Sequence, residues 1–465
     1  MLDTVVRLAL GLWSLVPLAA GASCLLLVAA SPLARNFYAT FPAQRGGGTF
    51  ATWILLLVVF GAQVFAGAVE QRGSSQSPLV ALPGIGRVAQ ILREERLAIA
   101  LIGVSILAVA HAVTLKRERP GHWARVALLA WMGLTTLVTT VNAVFNHSSS
   151  IPQLLQLVAA GSAFVAIMLL ASSLDLVHGA AILAVLLVTV LLLNAFFLVE
   201  APTWSDTLDW PGGFISGPRL QGTFPQPNVA GEVFALAVIF FSSISKSRPI
   251  LTCLGCALAG YLVFLTGSRG ALVMLVGALC YALLRRIGPR TVLAAGVGLG
   301  LAAALVPLTN LSASQFIHGR AVSWNEAKAL IYQSPVWGEG IFPDGYDAGF
   351  YAHNQVLQTA VEAGMVGLLF LSLGIFAALR EASRSTMPPV WGAILFGTLC
   401  TFAFENPLRF YRPEFGLLPS VVAMTVGLVV AISKDDIGNS EGDAEQSLAD
   451  SGSAETGNLA ARGPG

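Results

Sequence analysis

Runs of about twenty apolar residues recur along nearly the whole chain, and about that length is what a helix needs to cross the hydrocarbon of a bilayer. By that ruler the sequence has runs near Leu8 to Ala30, Thr52 to Val69, Leu97 to Leu115, Val126 to Val144, Leu154 to Ala171 and Ala180 to Val199. After a polar stretch, Glu200 to Pro227, come Val229 to Ile244, Ile250 to Gly267, Ala271 to Leu284 and Val292 to Val306. A longer polar insert, Pro307 to Ala352, precedes three last runs near Val356 to Leu379, Val390 to Phe404 and Leu417 to Ile432. Lipid leaves no water for an open backbone, so each run must bond to itself as a helix. The fold expected is an all-α polytopic membrane protein with about 12–13 transmembrane helices.

Composition agrees: 55% of residues are hydrophobic and 11% charged, where a soluble domain carries about 25% charged residues. The net charge of +1 excludes a nucleic-acid binder driven by basic charge. It hides an asymmetry, because seven of the 25 acids fall at Asp435, Asp436, Glu441, Asp443, Glu445, Asp450 and Glu455, with only Lys434 and Arg462 opposite them. That Ser/Gly/Asp/Glu-rich tail lacks apolar periodicity and is expected to be disordered. The first run could imitate a signal peptide, but the many later runs make it a first anchor. All five cysteines lie in apolar runs, where a thiol behaves as a small hydrophobe. Cys253-x-x-Cys256 has no second Cys/His pair to complete a zinc site, so packing is its expected role.

Lys and Arg in short loops mark the cytoplasmic side. Arg35/Arg45, Lys116/Arg117/Arg119/Arg125, Lys246/Arg248, Arg285/Arg286/Arg290 and Arg380/Arg384 fall on alternate connections, which places them in the cytoplasm with Lys434. Both long inserts then lie outside, and four runs separate them, an even number that returns the chain to one side. On this count, with Val80 to Arg96 read as an interfacial segment, the N-terminus is outside too.

Arg219 in the first insert, Arg269 at an outer helix end and Arg320 in the second insert break that charge rule at the edges of one four-helix block. A charge at membrane depth is by default a functional-site hypothesis, and guanidinium suits paired hydrogen bonds to phosphate oxygens. The plainer account is that Arg269 snorkels and the other two are solvated loop charges. The turn-rich Gly217-Pro-Arg-Leu-Gln-Gly-Thr-Phe-Pro-Gln-Pro-Asn228 leads into a helix start, a place that favours anions. Thr266-Gly-Ser-Arg-Gly270 does the same between two runs. Tyr351-Ala-His353-Asn354 closes the second insert, with Glu362, Gly364 and Gly367 in the helix after it. His353 is the one histidine at such a boundary beside an amide side chain, and imidazole can take a proton from a hydroxyl near neutral pH. A structural histidine is the alternative.

No Gly-x-x-x-x-Gly-Lys-Ser/Thr or His-Glu-x-x-His occurs, and Asp206-x-x-Asp209 and Asp344-x-x-Asp347 lack an Asp-x-Asp spacing. No cofactor and no metal is called for by these motifs. A basic outer pocket with one candidate base suits a donor that arrives already activated, such as a lipid-linked diphosphate sugar.

His353-Asn354, nine residues, Gly364, two residues and Gly367 resemble the His-Asn/Ser/Gln, nine, Gly-x-x-Gly pattern of the O-antigen ligase family. Arg219-Leu-Gln-Gly-Thr-Phe…Pro-Asn228, Thr266-Gly-Ser-Arg-Gly270 and Gly319-Arg320…Trp324…Pro335…Gly338-x-Gly340 are similar to its other blocks in the same order. The resemblance covers about Gly217 to Gly374. It implies a GT-C-like fold of the bacterial inner membrane and metal-independent, inverting transfer of a glycan from undecaprenyl diphosphate on the periplasmic face, usually to lipid A-core. It also implies roles: His353 as catalytic base, Arg219, Arg269 and Arg320 as diphosphate-binding, and Asn228, Trp324 and Asn354 as site-shaping, with Glu362, Gly364 and Gly367 beside them. The organisation expected is a transmembrane bundle over 1–199, a ligase-like catalytic membrane domain over 200–432 with periplasmic inserts 200–227 and 307–352, and a disordered cytoplasmic tail over 433–465. Thirteen spans with an outside N-terminus depart from the family's twelve with both ends inside, and Glu405-Asn-Pro407…Arg409…Arg412 adds an outer basic loop.

Relatives with the same blocks differ in acceptor, so an O-antigen polymerase and an O-oligosaccharyltransferase acting on pilin or other protein remain alternatives. A transporter is a reading of a different class, with Glu232, Glu362 and Glu405 as an ion path. No inverted repeat supports it, and the unusual residues lie on one face. A scaffold protein is the third, and it predicts that the outer arginines tolerate Ala.

Overall fold

A computed structural model of the chain describes residues 52–60, 95–114, 122–146, 151–174, 176–200, 204–205, 219–224, 226–243, 249–308, 320–343, 350–384, 387–409 and 416–432. The first run, Leu8 to Ala30, nearly all of Val80 to Arg96, most of the insert 200–227 and the tail 433–465 lie outside the described residues.

Residues 52–60 are helical, and then follow α1 (Glu95–Thr114), α2 (His122–Asn146), α3 (Ile151–Ala171) and α4 (Leu176–Glu200). Two short strands, β1 (Trp204–Ser205) and β2 (Arg219–Leu220), pair antiparallel with Ser205 opposite Arg219. The second half has α5 (Pro227–Ser243), α6 (Pro249–Thr266), α7 (Arg269–Ile287), α8 (Pro289–Leu305), α9 (Arg320–Gln333), α10 (Gln355–Ala382), α11 (Pro389–Thr401) and α12 (Leu417–Ile432). Among the described residues five helices, within α2, α3, α4, α7 and α10, are long and apolar enough to cross a membrane. The chain is an all-α polytopic membrane protein. One helix falls where only a polar insert is expected: α9 carries too few apolar residues to register as a span, yet it buries Trp324, Ala327 and Leu330.

Helix ends follow local chemistry. Proline opens α6, α8 and α11, where its missing N–H is no loss. Arg285 and Arg286 close α7 and Arg380 closes α10, each a cation at the negative end of a helix dipole. α7 and α11 approach closely because small residues face each other, and a Cβ at Gly277 would meet Cys400 Sγ at 2.6 Å while one at Gly397 would meet the Met274 carbonyl at 2.8 Å. Tyr281 of α7 donates its hydroxyl to the Ala382 carbonyl, 2.8 Å away at the end of α10. In α6, Cys256 turns its thiol toward the Val238 carbonyl of α5, in keeping with a packing role.

Among the described residues the main apolar core runs from Leu56 to Val430, and helices of the first half brace the second through it: α2 packs along α10, and α3 along α12. Gly374 makes the α2–α10 contact tight, since a Cβ there would stand 2.7 Å from Leu128 Cγ.

The second polar insert docks through a break in α10. Gly364 has φ 62° and ψ −165°, a conformation open essentially to glycine alone, and it interrupts the helix. The freed amides of Met365 and Val366 donate to the Pro335 and Val336 carbonyls at 3.0 and 3.3 Å. On the other side of the break, the Glu339 and Gly340 amides donate to the Val361 and Glu362 carbonyls. Asn142 and Thr139 of α2 hold the same segment, through Asn142 Nδ2 to the Glu339 carbonyl at 2.6 Å and the Ile341 amide to Thr139 Oγ1 at 3.0 Å.

Candidate functional site

Four helix N-termini meet at one end of the bundle. α5 opens at Pro227-Asn228, α7 at Arg269, α9 at Arg320 and α10 after its cap Asn354. Asn354 is fully buried and accepts from the Leu357 amide at 2.9 Å, while its Nδ2 donates to the carbonyls of Ala303 (2.8 Å) and Ala403 (3.2 Å). One amide side chain thus ties the end of α8 and the loop after α11 to the start of α10. At the start of α7, Ser268 caps by accepting from the Ala271 amide at 3.2 Å.

Arg269 and Arg320 are each the first residue of their helix, and neither helix has an acid in its first turn. A cation there opposes the helix dipole, where an anion would be favoured by about 0.3–1 kcal/mol. Two such placements side by side gather positive charge at this end of the bundle.

Arg219 joins them from β2. Its Nε donates to the Thr266 carbonyl at 2.7 Å and its Nη2 to Asn228 Oδ1 at 2.6 Å, so both bonds use neutral acceptors. Gly267, with φ 57°, makes the turn beneath it, where a Cβ would stand 3.4 Å from the guanidinium Nε. Asn194 of α4 holds the loop from the other side, accepting from the Thr223 amide at 2.9 Å and donating to Thr223 Oγ1 at 3.0 Å. Burial lowers the basicity of Arg219, Glu405 opposes that effect, and the nearby Arg269 and Arg320 add to it. The three arginines therefore lie within electrostatic reach of one another.

Glu405 is the centre of the arrangement. Its Oε1 accepts from Arg320 Nη2 at 2.7 Å and Asn228 Nδ2 at 2.8 Å, and its Oε2 from the Tyr351 hydroxyl at 3.0 Å. The residue is 3% exposed. Burial alone would raise its carboxyl, but Arg320, with His353 and Tyr351, outweighs that and holds it below the usual carboxylate range.

His353 stands beside it with Nδ1 3.8 Å from Glu405 Oε2, within ion-pair reach and beyond a hydrogen bond. Its φ of 50° is the only positive value among the described non-glycine residues, a strained backbone that packing must enforce. Tyr351 supplies part of that packing, with ring centroids 3.9 Å apart, and the Arg409 guanidinium lies over the Tyr351 ring, 4.5 Å from its centroid. Burial, reinforced by Glu405, pushes the Tyr351 hydroxyl well above its ordinary range, so it stays a neutral donor.

Trp324 does not line this cluster. It is buried from behind, in a small apolar group with Phe350, Ala352, Leu357 and Val361, and supports the segment that carries Tyr351 and His353. Glu362, Gly364 and Gly367 lie farther along α10. Glu362 accepts from Gln358 Nε2 at 2.6 Å, and Gln358 in turn accepts from the Ala352 amide and from Asn406 Nδ2, each at 2.8 Å. That chain connects Glu362 to both loops of the site. Gly364 forms the break described above, and a Cβ at Gly367 would lie 3.7 Å from Trp131 of α2. Among the described residues no three His, Cys, Asp or Glu side chains gather closely enough to hold a metal ion.

Residues 254–372 match the family model for O-antigen ligase. The match spans roughly a quarter of the chain and supports the O-antigen ligase family for that segment. No curated protein matches the chain at a significant level. The matched segment runs from α6 into α10 and contains Arg269, Arg320, Trp324, His353, Asn354, Glu362, Gly364 and Gly367. The match supports an enzyme of the ligase, polymerase or oligosaccharyltransferase type. Arg219, Asn228 and Glu405 lie outside the match and reach the site by packing. Glu405, Tyr351, Arg409 and Gln358 are the residues that sequence reasoning left without a role in glycan transfer. The available signal was an acid and an arginine, Glu405 and Arg409, placed between two apolar runs.

Proposed function

We propose that the protein is a metal-independent glycosyltransferase of the bacterial inner membrane that moves a glycan from undecaprenyl diphosphate to an acceptor hydroxyl on lipid A-core, at the periplasmic face. In this reading residues 200–432 are the catalytic membrane domain and residues 1–199 an N-terminal transmembrane bundle. The observation that carries the reading is the gathering of Arg219, Arg269 and Arg320, from three separate segments, around a strained histidine backed by a buried carboxylate.

In this mechanism the three guanidiniums grip the diphosphate of the donor and leave the anomeric carbon facing His353. With Nδ1 turned toward Glu405, His353 offers Nε2 to the acceptor hydroxyl. As the acceptor oxygen attacks, His353 takes its proton, the bond from the anomeric carbon to the phosphate oxygen breaks, and the electron pair leaves with undecaprenyl diphosphate. Glu405 stabilises the imidazolium so formed, and the arginines hold the anion. A single displacement of this kind inverts the anomeric centre.

Purified protein with an undecaprenyl-diphosphate-linked glycan and EDTA tests this. Transfer to lipid A-core is expected, and transfer only to pilin or to a growing glycan would change the acceptor assignment. His353→Ala is expected to bind the donor normally and to lose about 10² to 10⁴ in rate. Near-normal transfer by that variant, or activity that needs an added divalent ion, would overturn the mechanism.

A further inference from the structure

The site contains a second acid whose oxygen nothing described satisfies. Glu232 lies on α5 one turn after Asn228, so the two side chains share a face. It is 3% exposed, and its Oε1 is buried without a hydrogen-bond partner among the described residues. A Cβ on Gly270 would stand 2.7 Å from that oxygen and 3.2 Å from Glu405 Cγ, so the two acids flank the same glycine at the start of α7. The donors around them are unequally shared. Arg320, Asn228 and Tyr351 all give to Glu405, while Glu232 receives none of them.

Native structures rarely keep a buried polar atom unpaired, and such an atom asks for a specific explanation. A carboxylate repels phosphate oxygens, so an ionised Glu232 is unsuited to the diphosphate that the arginines attract. It is suited to a donor group, and on the reading above one substrate part lies between the arginines and His353: the sugar joined to the diphosphate. We propose that Glu232 determines sugar specificity, its Oε1 accepting a hydrogen bond from a ring hydroxyl or acetamido N–H of that sugar. The absence of a side chain at Gly270 lets that oxygen approach the start of α7 closely.

This rests on the donor reading, and the test separates the two. Full-length protein in nanodiscs would be titrated with undecaprenyl diphosphate and with undecaprenyl diphosphate bearing one N-acetylglucosamine, which carries both kinds of hydrogen-bond donor. Wild type is expected to bind the sugar-linked lipid about ten-fold more tightly, the worth of one hydrogen bond to a carboxyl. Glu232→Ala should bring the two lipids to parity and leave binding of the bare lipid unchanged. If that variant binds neither lipid, Glu232→Met, which keeps most of the side-chain volume and removes the acceptor oxygen, decides: a loss confined to the sugar-linked lipid supports the proposal, and an equal loss for both overturns it. Equal binding of the two lipids by wild type would defeat the Glu232 assignment alone. Binding of neither by wild type would defeat the donor reading and this proposal with it.

Discussion

Glu405→Gln asks how much of the site depends on one buried charge. The amide is nearly isosteric, and its oxygen can still accept from Arg320 and Asn228 where Glu405 Oε1 does now. Its NH₂ then faces the Tyr351 hydroxyl, which can rotate to accept in place of donating. The packing survives, and what disappears is the charge 3.8 Å from His353 Nδ1. At an effective dielectric of about 20, unit charges at that separation interact by about 4 kcal/mol. The His353 side chain is 24% exposed, so solvent screening reduces this to roughly 2–4 kcal/mol. If the imidazolium forms during transfer, turnover should fall about 30- to 1000-fold. Stability should fall far less, by about 1–2 kcal/mol for weakening the charge-assisted bond to Arg320. The assay is turnover at saturating donor on purified variant, beside thermal unfolding in the same detergent. Turnover within three-fold of wild type at an unchanged unfolding midpoint would refute a charge role for Glu405, and a large drop in midpoint would show that the residue acts mainly on folding.

Arg269→Lys keeps the charge and loses the paired hydrogen-bond geometry, so donor binding measured by titration should weaken at least about ten-fold at normal protein level, a change of about 1.4 kcal/mol. Wild-type binding in Lys would show that a point charge suffices, and in Ala that no grip exists there. Gly364→Ala forces a Cβ to within 2.1 Å of the Val336 carbonyl oxygen at a glycine-only conformation. Strain of about 1–3 kcal/mol and two weakened amide bonds of about 1 kcal/mol each predict a loss of about 3–5 kcal/mol. An unchanged unfolding midpoint would contradict the account of the α10 break.

The helices were legible in the sequence because lipid imposes one rule on every span: about twenty apolar residues that bond to themselves. The same rule made the outlying charges visible, so Arg219, Arg269, Arg320 and His353 could be picked out before any neighbour was known. α9 escaped because its helix is amphiphilic and outside that rule, its Trp324 buried by long-range packing with Phe350 and Val361. Gly364 and Gly367 could be matched to a pattern, but the reason for Gly364, a helix opened to receive residues 335–340, exists only once two distant segments touch. Glu405 shows the division most plainly. In the sequence it is one acid in a basic loop, since nothing local distinguishes a solvated carboxylate from a central one. It becomes the site's centre because Asn228, Arg320 and Tyr351 arrive from 177, 85 and 54 residues away. A sequence reports which groups carry charge, and only folding decides which of them lose water and find each other.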